Sequence, residues 1–242
     1  MAQKKLIAAR ESVSTKPFPI PVKEMISRYE QLNAGVISNV LREFAMLNQS
    51  LPHYIKPLRP ERTVAGLAFT VKSAPNVKIT GERSFRPRML AELPADTIVV
   101  WDTSDDTMAT PWSGGMTATA AGLGVKGAVI DGGIRETHQI LEKDFPVFYK
   151  HRIPSGSPGR CLITHYQIPI NIGDVLVAPD DIVFGDIDGI VIIPRDIAYD
   201  VLVRVEGTIQ TEKNSHLSGQ GRTVRNQGSY FRNRRFAWKR CG

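Results

Sequence analysis

The sequence predicts an α/β fold with mixed strands, built as one domain followed by a basic tail. Between residues 65 and 149, apolar runs of strand length alternate with helical patterns, which is typical of parallel strands joined by helical crossovers. Between residues 174 and 193, short apolar runs are separated by Gly, Asp and Pro, which is typical of antiparallel strands joined by tight turns. The 242 residues and 42% hydrophobic content are those of an ordinary globular protein with a sizeable core.

The first half of the domain begins with a helix and continues with two strands. Apolar residues recur at three- and four-residue steps and predict a helix over about 22–48, which a Pro-rich stretch ends. Apolar runs at 65–71 and 97–101 have the length of strands, and a helix is expected between them at about 82–93. Pro94 closes that helix.

The second half continues the alternation of strands and helices and then changes to short strands joined by tight turns. A run of small residues predicts a helix over 114–123, and an apolar strand follows at 125–130. A short helix is expected at 135–141 and a short strand at 146–149. The remaining elements are expected as strands at 174–178, 181–184 and 189–193 and as a final helix at 195–213, where apolar residues recur every four positions.

The net charge of +7 lies in the tail. Lys and Arg number 31 and Asp and Glu 24, and seven of the basic residues but no acidic ones lie within 219–242. The neutral body excludes a nucleic-acid-binding surface spread over the domain. Because Tyr230, Phe231, Phe236 and Trp238 alternate with arginines, nucleic acid is a candidate partner only through the tail. Docking of the tail on the chain's own oligomer is the favoured alternative, ahead of a disordered arm.

We expect three parts: an N-terminal arm at 1–21, the α/β domain at 22–218 and the tail at 219–242. The arm is polar and lacks the apolar core of a secretory signal, and no apolar run approaches the roughly 18 residues of a membrane span. Cys161 and Cys241 are too far apart for a Cys-x-x-Cys metal or redox motif. A cytoplasmic protein without membrane attachment is therefore expected.

Three motifs suggest chemistry but are better explained by structure. Residues 122–127 match G-x-G-x-x-G, yet a helix is predicted before them and a strand after, the reverse of a dinucleotide site. Residues 186–189 resemble part of a calcium loop without its later ligands, so a tight turn is the better interpretation. Lys72, at a strand end, is more simply an exposed lysine than a Schiff-base nucleophile.

One segment keeps a functional interpretation. Ser113, Gly114 and Gly115 begin a helix whose free N–H groups can bind an anion. Arg135 offers a planar fork for a carboxylate or carbonyl oxygen, and Glu136 offers an oxygen ligand to a divalent cation. These groups suit a small substrate that bears a carboxylate, although a surface Arg–Glu pair without function is a common arrangement.

Several of these segments, in this order, resemble the RraA-like family, named for regulator of ribonuclease activity A. The family includes the class II 4-hydroxy-4-methyl-2-oxoglutarate and 4-carboxy-4-hydroxy-2-oxoadipate aldolases. The resemblance covers roughly residues 30–213. The matching segments are 65–71, 114–121, 124–136, 145–148 and 173–194.

The resemblance implies a swivelling-type α/β domain, trimers or hexamers with sites between subunits, and a divalent metal, Mg²⁺ or Mn²⁺, that binds a 2-oxo acid. The aldolase signature is an Asp, twenty intervening residues and Arg-Asp. Arg135 falls on its catalytic, substrate-binding arginine, Glu136 replaces the metal-binding Asp, and Gly114 stands where the first Asp is expected. Gly115 and Met116 fall where backbone N–H groups hold the substrate carboxylate.

The resemblance therefore implies a metal-dependent lyase acting on a 2-oxo acid, by retro-aldol cleavage or decarboxylation through a metal-stabilised enolate. The missing carboxylate at Gly114 puts that activity in doubt, so a non-enzymatic regulatory protein, such as a ribonuclease-binding inhibitor, is the alternative. An enzyme with another hydroxy-acid substrate is a third hypothesis. Glu206 and Glu212 are the candidates for a glutamate that one subunit lends to the site of another.

Overall fold

The structure is a computed structural model, and it describes residues 2–10, 13–77 and 82–217. The chain divides into two compact units, residues 1–206 and residues 207–242. The described part of the second unit, residues 207–217, is helical. The predicted tail at 219–242, with its oligomer-docking and nucleic-acid hypotheses, lies outside the described residues.

The first unit is built on a mixed sheet, and strands and helices are numbered here in chain order. The strands are β1 Lys56–Pro57, β2 Val64–Pro75, β3 Thr97–Asp102, β4 Gly127–Ile134, β5 Val147–Arg152, β6 Cys161–Tyr166, β7 Ile170–Ile172, β8 Val175–Val177, β9 Ile182–Asp186 and β10 Gly189–Ile193. The helices are α1 Ala2–Arg10, α2 Val22–Tyr29, α3 Ala34–Glu43, α4 Glu82–Ala91, α5 Gly114–Gly122, α6 Thr137–Glu142 and α7 Ala198–Leu217, and a 3₁₀ turn at Arg195–Ile197 precedes α7.

The sheet has the strand order β1-β5-β4-β3-β2-β9-β10, with β6 paired to β2. Strands β2 to β5 are parallel, whereas β1, β6, β9 and β10 pair antiparallel to their neighbours. A separate two-stranded sheet is formed by β7 and β8. The predicted mixed α/β class is confirmed, with parallel strands in the middle of the chain and antiparallel strands later.

Apolar side chains cover both faces of the parallel strands. One face packs with α5 and buries Trp101, Trp112 and Met116. The other face packs with β7 and β8 and buries Val129 and Phe148. Because both faces are covered, the parallel strands are near-continuous apolar runs, which is why they could be found in the sequence.

The predicted helix over 22–48 is wrong in its extent, because the structure has two helices there. The side chain of Asn33 accepts a hydrogen bond from the N–H of Val36 at 2.9 Å and caps α3. An Asn cap begins a new helix because it replaces a missing backbone partner of the first turn. The apolar stripe continues across the break, so periodicity alone does not reveal the break.

Two predicted boundaries near the site are also wrong. Strand β4 extends to Ile134 instead of ending near residue 130, and α6 begins at Thr137 instead of Arg135. The short strands β1, β6 and β7 have no counterpart in the prediction, and α1 lies within the predicted N-terminal arm.

The structural explanations of the two motifs that resemble binding sites are confirmed. Helix α5 ends at Gly122 and β4 begins at Gly127, so the glycine motif connects a helix to a strand. The sequence between β9 and β10 is a tight turn in which Asp188 N–H donates to Asp186 Oδ1 at 2.9 Å. None of the helices in the described ranges combines the length and apolar character that a membrane span requires.

Candidate functional site

Two neighbouring parallel strands end where the sequence analysis placed the site. In the register of β3 and β4, Asp102 lies opposite Asp131, as expected for parallel strands. Strand β4 then continues to Ile134, so that Arg135 leaves the sheet at its carboxyl edge. This edge is where α/β sheets commonly bind ligands.

The extension of β4 depends on two glycines with no room for a side chain. A Cβ atom at Gly133 would lie 2.7 Å from Ile153 Cγ2 and 3.0 Å from the carbonyl oxygen of Ala109. A Cβ atom at Gly132 would lie 2.5 Å from Thr103 Cγ2. The Gly132-Gly133 pair therefore permits the close packing that directs the chain toward Arg135.

Trp112 connects the start of α5 to Arg135. Its side chain is fully buried, and its Nε1 donates to Thr117 Oγ1 at 2.9 Å. The Trp112 carbonyl oxygen accepts the N–H of Arg135 at 3.2 Å. The backbone of Arg135 and the first turn of α5 are thus held together.

The start of α5, where the sequence predicts an anion site, is the N-terminus of a capped helix. Ser113 caps the helix, and its Oγ lies 3.5 Å from the N–H of Met116, which is long for a hydrogen bond. The first N–H groups of a helix have no partner within it, and Gly115 is exposed. The Met116 side chain, by contrast, is buried, with its Sδ 3.0 Å from Arg86 Nη1.

Arg135 and Glu136 form a loose ion pair. Arg135 Nε lies 3.5 Å from Glu136 Oε1, and about a third of each side chain is exposed. The Nε atom is buried and has no hydrogen-bond partner. Glu136 has a left-handed backbone conformation, with φ 54° and ψ 39°, which is uncommon for a residue other than Gly. The pair therefore contains an unused donor and a carboxylate held by an unusual backbone.

Both residues line an open cavity of about 460 Å³ that also contains two more basic side chains. Arg152, the last residue of β5, pairs in register with Ile134, and His138 lies on α6. The Arg152 guanidinium stacks on Tyr149 at 5.3 Å from the ring centroid. Glu136 is the only acidic residue in the lining, so the cavity favours an anion.

The position of the missing signature carboxylate is occupied by Gln139. A Cβ atom at Gly114 would lie 2.3 Å from Gln139 Oε1 and 2.7 Å from Gln139 Cβ. Gln139 is on α6, three residues after Glu136, and therefore near the same helix face. A neutral amide stands where the aldolase pattern has a carboxylate.

Four charged side chains form a row on the sheet face that carries Val129 and Phe148. Lys72 Nζ lies 2.5 Å from Asp102 Oδ2, and Lys150 Nζ lies 3.6 Å from Asp131 Oδ1. Burial, followed by the charge of Asp102, raises the pKa of Asp131 despite the nearby lysine. Lys72 is thus an ion-paired residue. The two lysines of this row balance the charges of its two aspartates.

Four of the predicted site residues are not brought into the Arg135 cavity. Gly115 and Met116 lie at the start of α5 and are absent from its lining. Glu206 receives two hydrogen bonds from the Arg28 guanidinium, at 2.8 and 2.6 Å, so an internal partner already holds its carboxylate. Glu212 is exposed on α7.

Sequence reasoning missed Gln139 and Arg152. Gln139 follows Glu136 by three residues, so helical spacing was a usable signal. Arg152 comes from another strand, and only the pairing of β4 with β5 places it beside Arg135. Within the described ranges, no group of three or more His, Cys, Asp or Glu residues could hold a metal ion.

Comparisons with known proteins identify the family. The family model described as RraA-like, Aldolase/RraA, matches residues 34–192. A Halalkalibacterium halodurans protein, named as an unproven 4-hydroxy-4-methyl-2-oxoglutarate aldolase, is 29% identical over 185 residues, 76% of this chain and 82% of that protein. Protein DlpA of Legionella pneumophila is 26% identical over 159 residues, 66% of this chain. The match spans only 26% of DlpA.

Solved structures share the fold. A crystal structure described as being of novel cellulases from microbes associated with the gut ecosystem is 60% identical, with a TM-score of 0.87 over 88% of this chain and 96% of that one. RraAS2 of Streptomyces coelicolor, described as an unusual member of the RNase ES inhibitor RraA family, is 22% identical, with a TM-score of 0.73 over 83% and 100%. The family model covers most of the domain, and this chain belongs to the RraA-like family.

Proposed function

We propose that this chain is a lyase that cleaves or decarboxylates a small 2-oxo acid with the help of a divalent metal. The observation that carries the proposal is the Arg135 side chain, which lines a basic cavity and makes only a loose ion pair with the Glu136 carboxylate, 3.5 Å from Nε to Oε1. Membership of the family and the aldolase name of the Halalkalibacterium relative support it.

The cavity's charges suit the difficult step of this chemistry. Retro-aldol cleavage and β-decarboxylation of a 2-oxo acid both produce an enolate, whose oxygen carries negative charge. A positioned guanidinium stabilises such a developing charge. Arg135 lines the cavity with its guanidinium partly exposed, and Arg152 adds a second positive charge to the same cavity.

The site fits a metal that keeps most of its own water. Mg²⁺ is commonly held by one or two carboxylates together with water and substrate oxygens. Glu136 supplies one such carboxylate, whereas the described residues contain no cluster for a dedicated metal cage. Glu136 would hold Mg²⁺ or Mn²⁺, and the bound ion would supply a Lewis acid for the 2-oxo group.

We assign proton transfer in this site to a water molecule. The signature carboxylate is replaced at Gly114, and the Gln139 amide in its place has no ionisable group. An amide can orient a water molecule by donating and accepting hydrogen bonds. We therefore assign Gln139 the positioning of that water. The α5 N–H groups at Gly115 and Met116, which lie outside the cavity lining, are assigned the orientation of the substrate carboxylate on the family resemblance alone. The family resemblance extends the proposal to a trimer or hexamer.

Pyruvate release tests the function. Oxaloacetate and 4-carboxy-4-hydroxy-2-oxoadipate are incubated with the full chain and Mn²⁺ or EDTA, and pyruvate is measured by coupled reduction. We expect Mn²⁺-dependent release and a loss of about 100-fold in kcat/KM for Arg135→Ala, the usual effect of removing a transition-state donor. Arg204→Ala is the matched control, since Arg204 pairs with Glu43 on the surface. Release unaffected by EDTA or by Arg135→Ala would contradict the proposal.

A regulatory protein is the second candidate, and the missing carboxylate at Gly114 favours it. The Streptomyces relative is described as belonging to a family of ribonuclease inhibitors. A regulator would bind a ribonuclease and release no pyruvate from any 2-oxo acid in a screen with added metal. These two readouts separate the candidates.

We do not extend the cellulase description of the 60% identical structure to this chain. Glycoside hydrolysis usually needs two carboxylates on either side of an open cleft, roughly 5–9.5 Å apart. Glu136 is the single carboxylate of the Arg135 cavity. Asp102 and Asp131 lie on neighbouring strands, but both are buried and paired with lysines.

A further inference from the structure

Gly156 lies directly against the guanidinium of Arg135. A Cβ atom at residue 156 would lie 3.0 Å from Nη1, 3.4 Å from Cζ and 3.6 Å from Nη2 of Arg135. Because these three atoms are at similar distances, the planar guanidinium lies across residue 156 instead of meeting it with one nitrogen. The guanidinium therefore occupies space that any side chain at residue 156 would need.

The loop that contains Gly156 is fixed by hydrogen bonds on both sides of that residue. The N–H of Thr110 donates to the Ser155 carbonyl oxygen at 2.9 Å, and the Thr110 hydroxyl donates to the Ile153 carbonyl oxygen at 2.6 Å. On the other side, the hydroxyl of Ser157, a buried residue, donates to the Thr110 carbonyl oxygen at 2.7 Å. Since these bonds hold the loop, a side chain at residue 156 would displace the guanidinium and not the loop.

Arg86 of α4 connects this loop to the segment that holds the backbone of Arg135. Its Nη2 donates to Ser157 Oγ at 3.0 Å, and its Nη1 donates to the Pro111 carbonyl oxygen at 2.7 Å. The next residue, Trp112, accepts the N–H of Arg135 through its carbonyl oxygen. The loop and the backbone of Arg135 are thus parts of one hydrogen-bonded unit.

The ion pair with Glu136 leaves the outer end of the Arg135 side chain without a close partner in that carboxylate. The pair is 3.5 Å long and involves Nε, whereas the two Nη atoms lie against Gly156. Packing against residue 156 therefore limits where the outer donors of the fork can lie. A misplacement of about 1 Å in a positioned group can cost on the order of 100-fold in rate.

We propose that Gly156 is a positioning residue of the lyase site. The absence of a side chain lets the Arg135 guanidinium lie back against the loop, in the place from which it stabilises the enolate. The φ angle of Gly156 is outside the left-handed region, so glycine serves here to leave space and not to permit an unusual backbone. This inference rests on the proposed function.

A double-mutant cycle on pyruvate release tests this role. Gly156→Ala should lower kcat about tenfold with little change in KM, because the displaced guanidinium acts on the charge of the transition state. In the Arg135→Ala variant, the same substitution should have no further effect, since the group that it displaces is gone. Gly207→Ala is the control, because its Cβ would meet no atom within 4 Å, and it should leave kcat unchanged in both proteins.

Thermal unfolding of the same variants reports the contact without any turnover. Gly156→Ala should change the Tm more favourably in the Arg135→Ala protein than in the wild type, because the new methyl group then meets no guanidinium. Equal changes in Tm would overturn the contact. An equal fall in kcat in both proteins, or no fall in the wild type, would overturn the positioning role.

The two measurements also separate this inference from the proposed function. A wild type that releases no pyruvate would contradict the lyase function, and the positioning role would fall with it, while the Tm comparison would still report the contact. An active wild type whose kcat is unaffected by Gly156→Ala would overturn the positioning role alone.

Discussion

Gly114 shows how one residue changes the chemistry of a site. Without a side chain at this position, α5 approaches α6 closely enough for Gln139 to occupy the space of a carboxylate. The sequence revealed that the carboxylate was missing, because the signature position could be counted from Arg135. It did not reveal the replacement, because Gln139 reaches Gly114 from another helix.

Gly114→Ala should lower the free energy of unfolding. The new Cβ atom would lie within 3 Å of Gln139, and such overpacking costs about 1–3 kcal/mol. Gly122→Ala in the same helix meets no atom within 4 Å and should raise stability by about 0.5–1 kcal/mol. Unfolding in urea measures the change in the free energy of unfolding for both variants.

Gln139→Ala combined with Gly114→Ala should recover only part of the loss, because it removes the Oε1 contact but leaves the Cβ of residue 139 at 2.7 Å. An unchanged stability for Gly114→Ala alone would show that Gln139 does not fill this space.

At the scale of elements, the site depends on where β4 ends. The sequence analysis ended the apolar strand at residue 130, just before Gly132 and Gly133. In the structure the same glycines lie inside the strand, where they allow Thr103 and Ile153 to approach the backbone. A sequence pattern does not distinguish glycine inside a strand from glycine after one, since the difference lies in the neighbouring strands.

Gly133→Ala should destabilise the domain by about 1–3 kcal/mol, since a Cβ would lie 2.7 Å from Ile153 Cγ2 and 3.0 Å from the Ala109 carbonyl oxygen. Gly115→Ala is the control, because its Cβ would make only an ordinary contact at 3.9 Å with Ser113 Oγ. Thermal unfolding should show a lower Tm for Gly133→Ala than for Gly115→Ala. Equal Tm values would contradict the role of close packing in extending β4.

At the scale of the whole molecule, Asp181 links its stability to pH. The carboxylate accepts N–H groups from Ala178 at 2.9 Å and from Arg195 at 2.9 Å, which joins the turn before β9 to the start of the C-terminal helical region. Burial raises the pKa of Asp181 from 3.8 to about 6, although these two hydrogen bonds oppose the shift.

The folded state should therefore lose stability between about pH 4 and pH 6. Below pH 3.8 both states hold the proton, and as the pH rises the unfolded state releases it first. This pKa shift corresponds to a loss of on the order of 3 kcal/mol in the free energy of unfolding. Urea unfolding of the wild type and Asp181→Asn at pH 4 and pH 7 measures it. The stability of the wild type relative to the variant should fall with rising pH, and a constant difference would contradict the shift.

The sequence by itself determined the α/β class, the family and the neutral body, and it predicted Arg135 and Glu136 as candidate site residues. These features are local, since they rest on apolar periodicity, composition and the spacing of a signature along the chain. Charge composition also placed the net charge in residues 219–242, which lie outside the described part of the molecule.

The tertiary structure alone decided which groups surround those residues. Gln139 beside Gly114 and Arg152 beside Arg135 both depend on contacts between separate elements. The physical reason is that strand pairing and helix packing join residues distant in sequence, and periodicity along one segment does not specify its neighbours. The signature residues and the missing carboxylate were therefore local information, whereas the Gln139 and Arg152 side chains beside them were placed by folding.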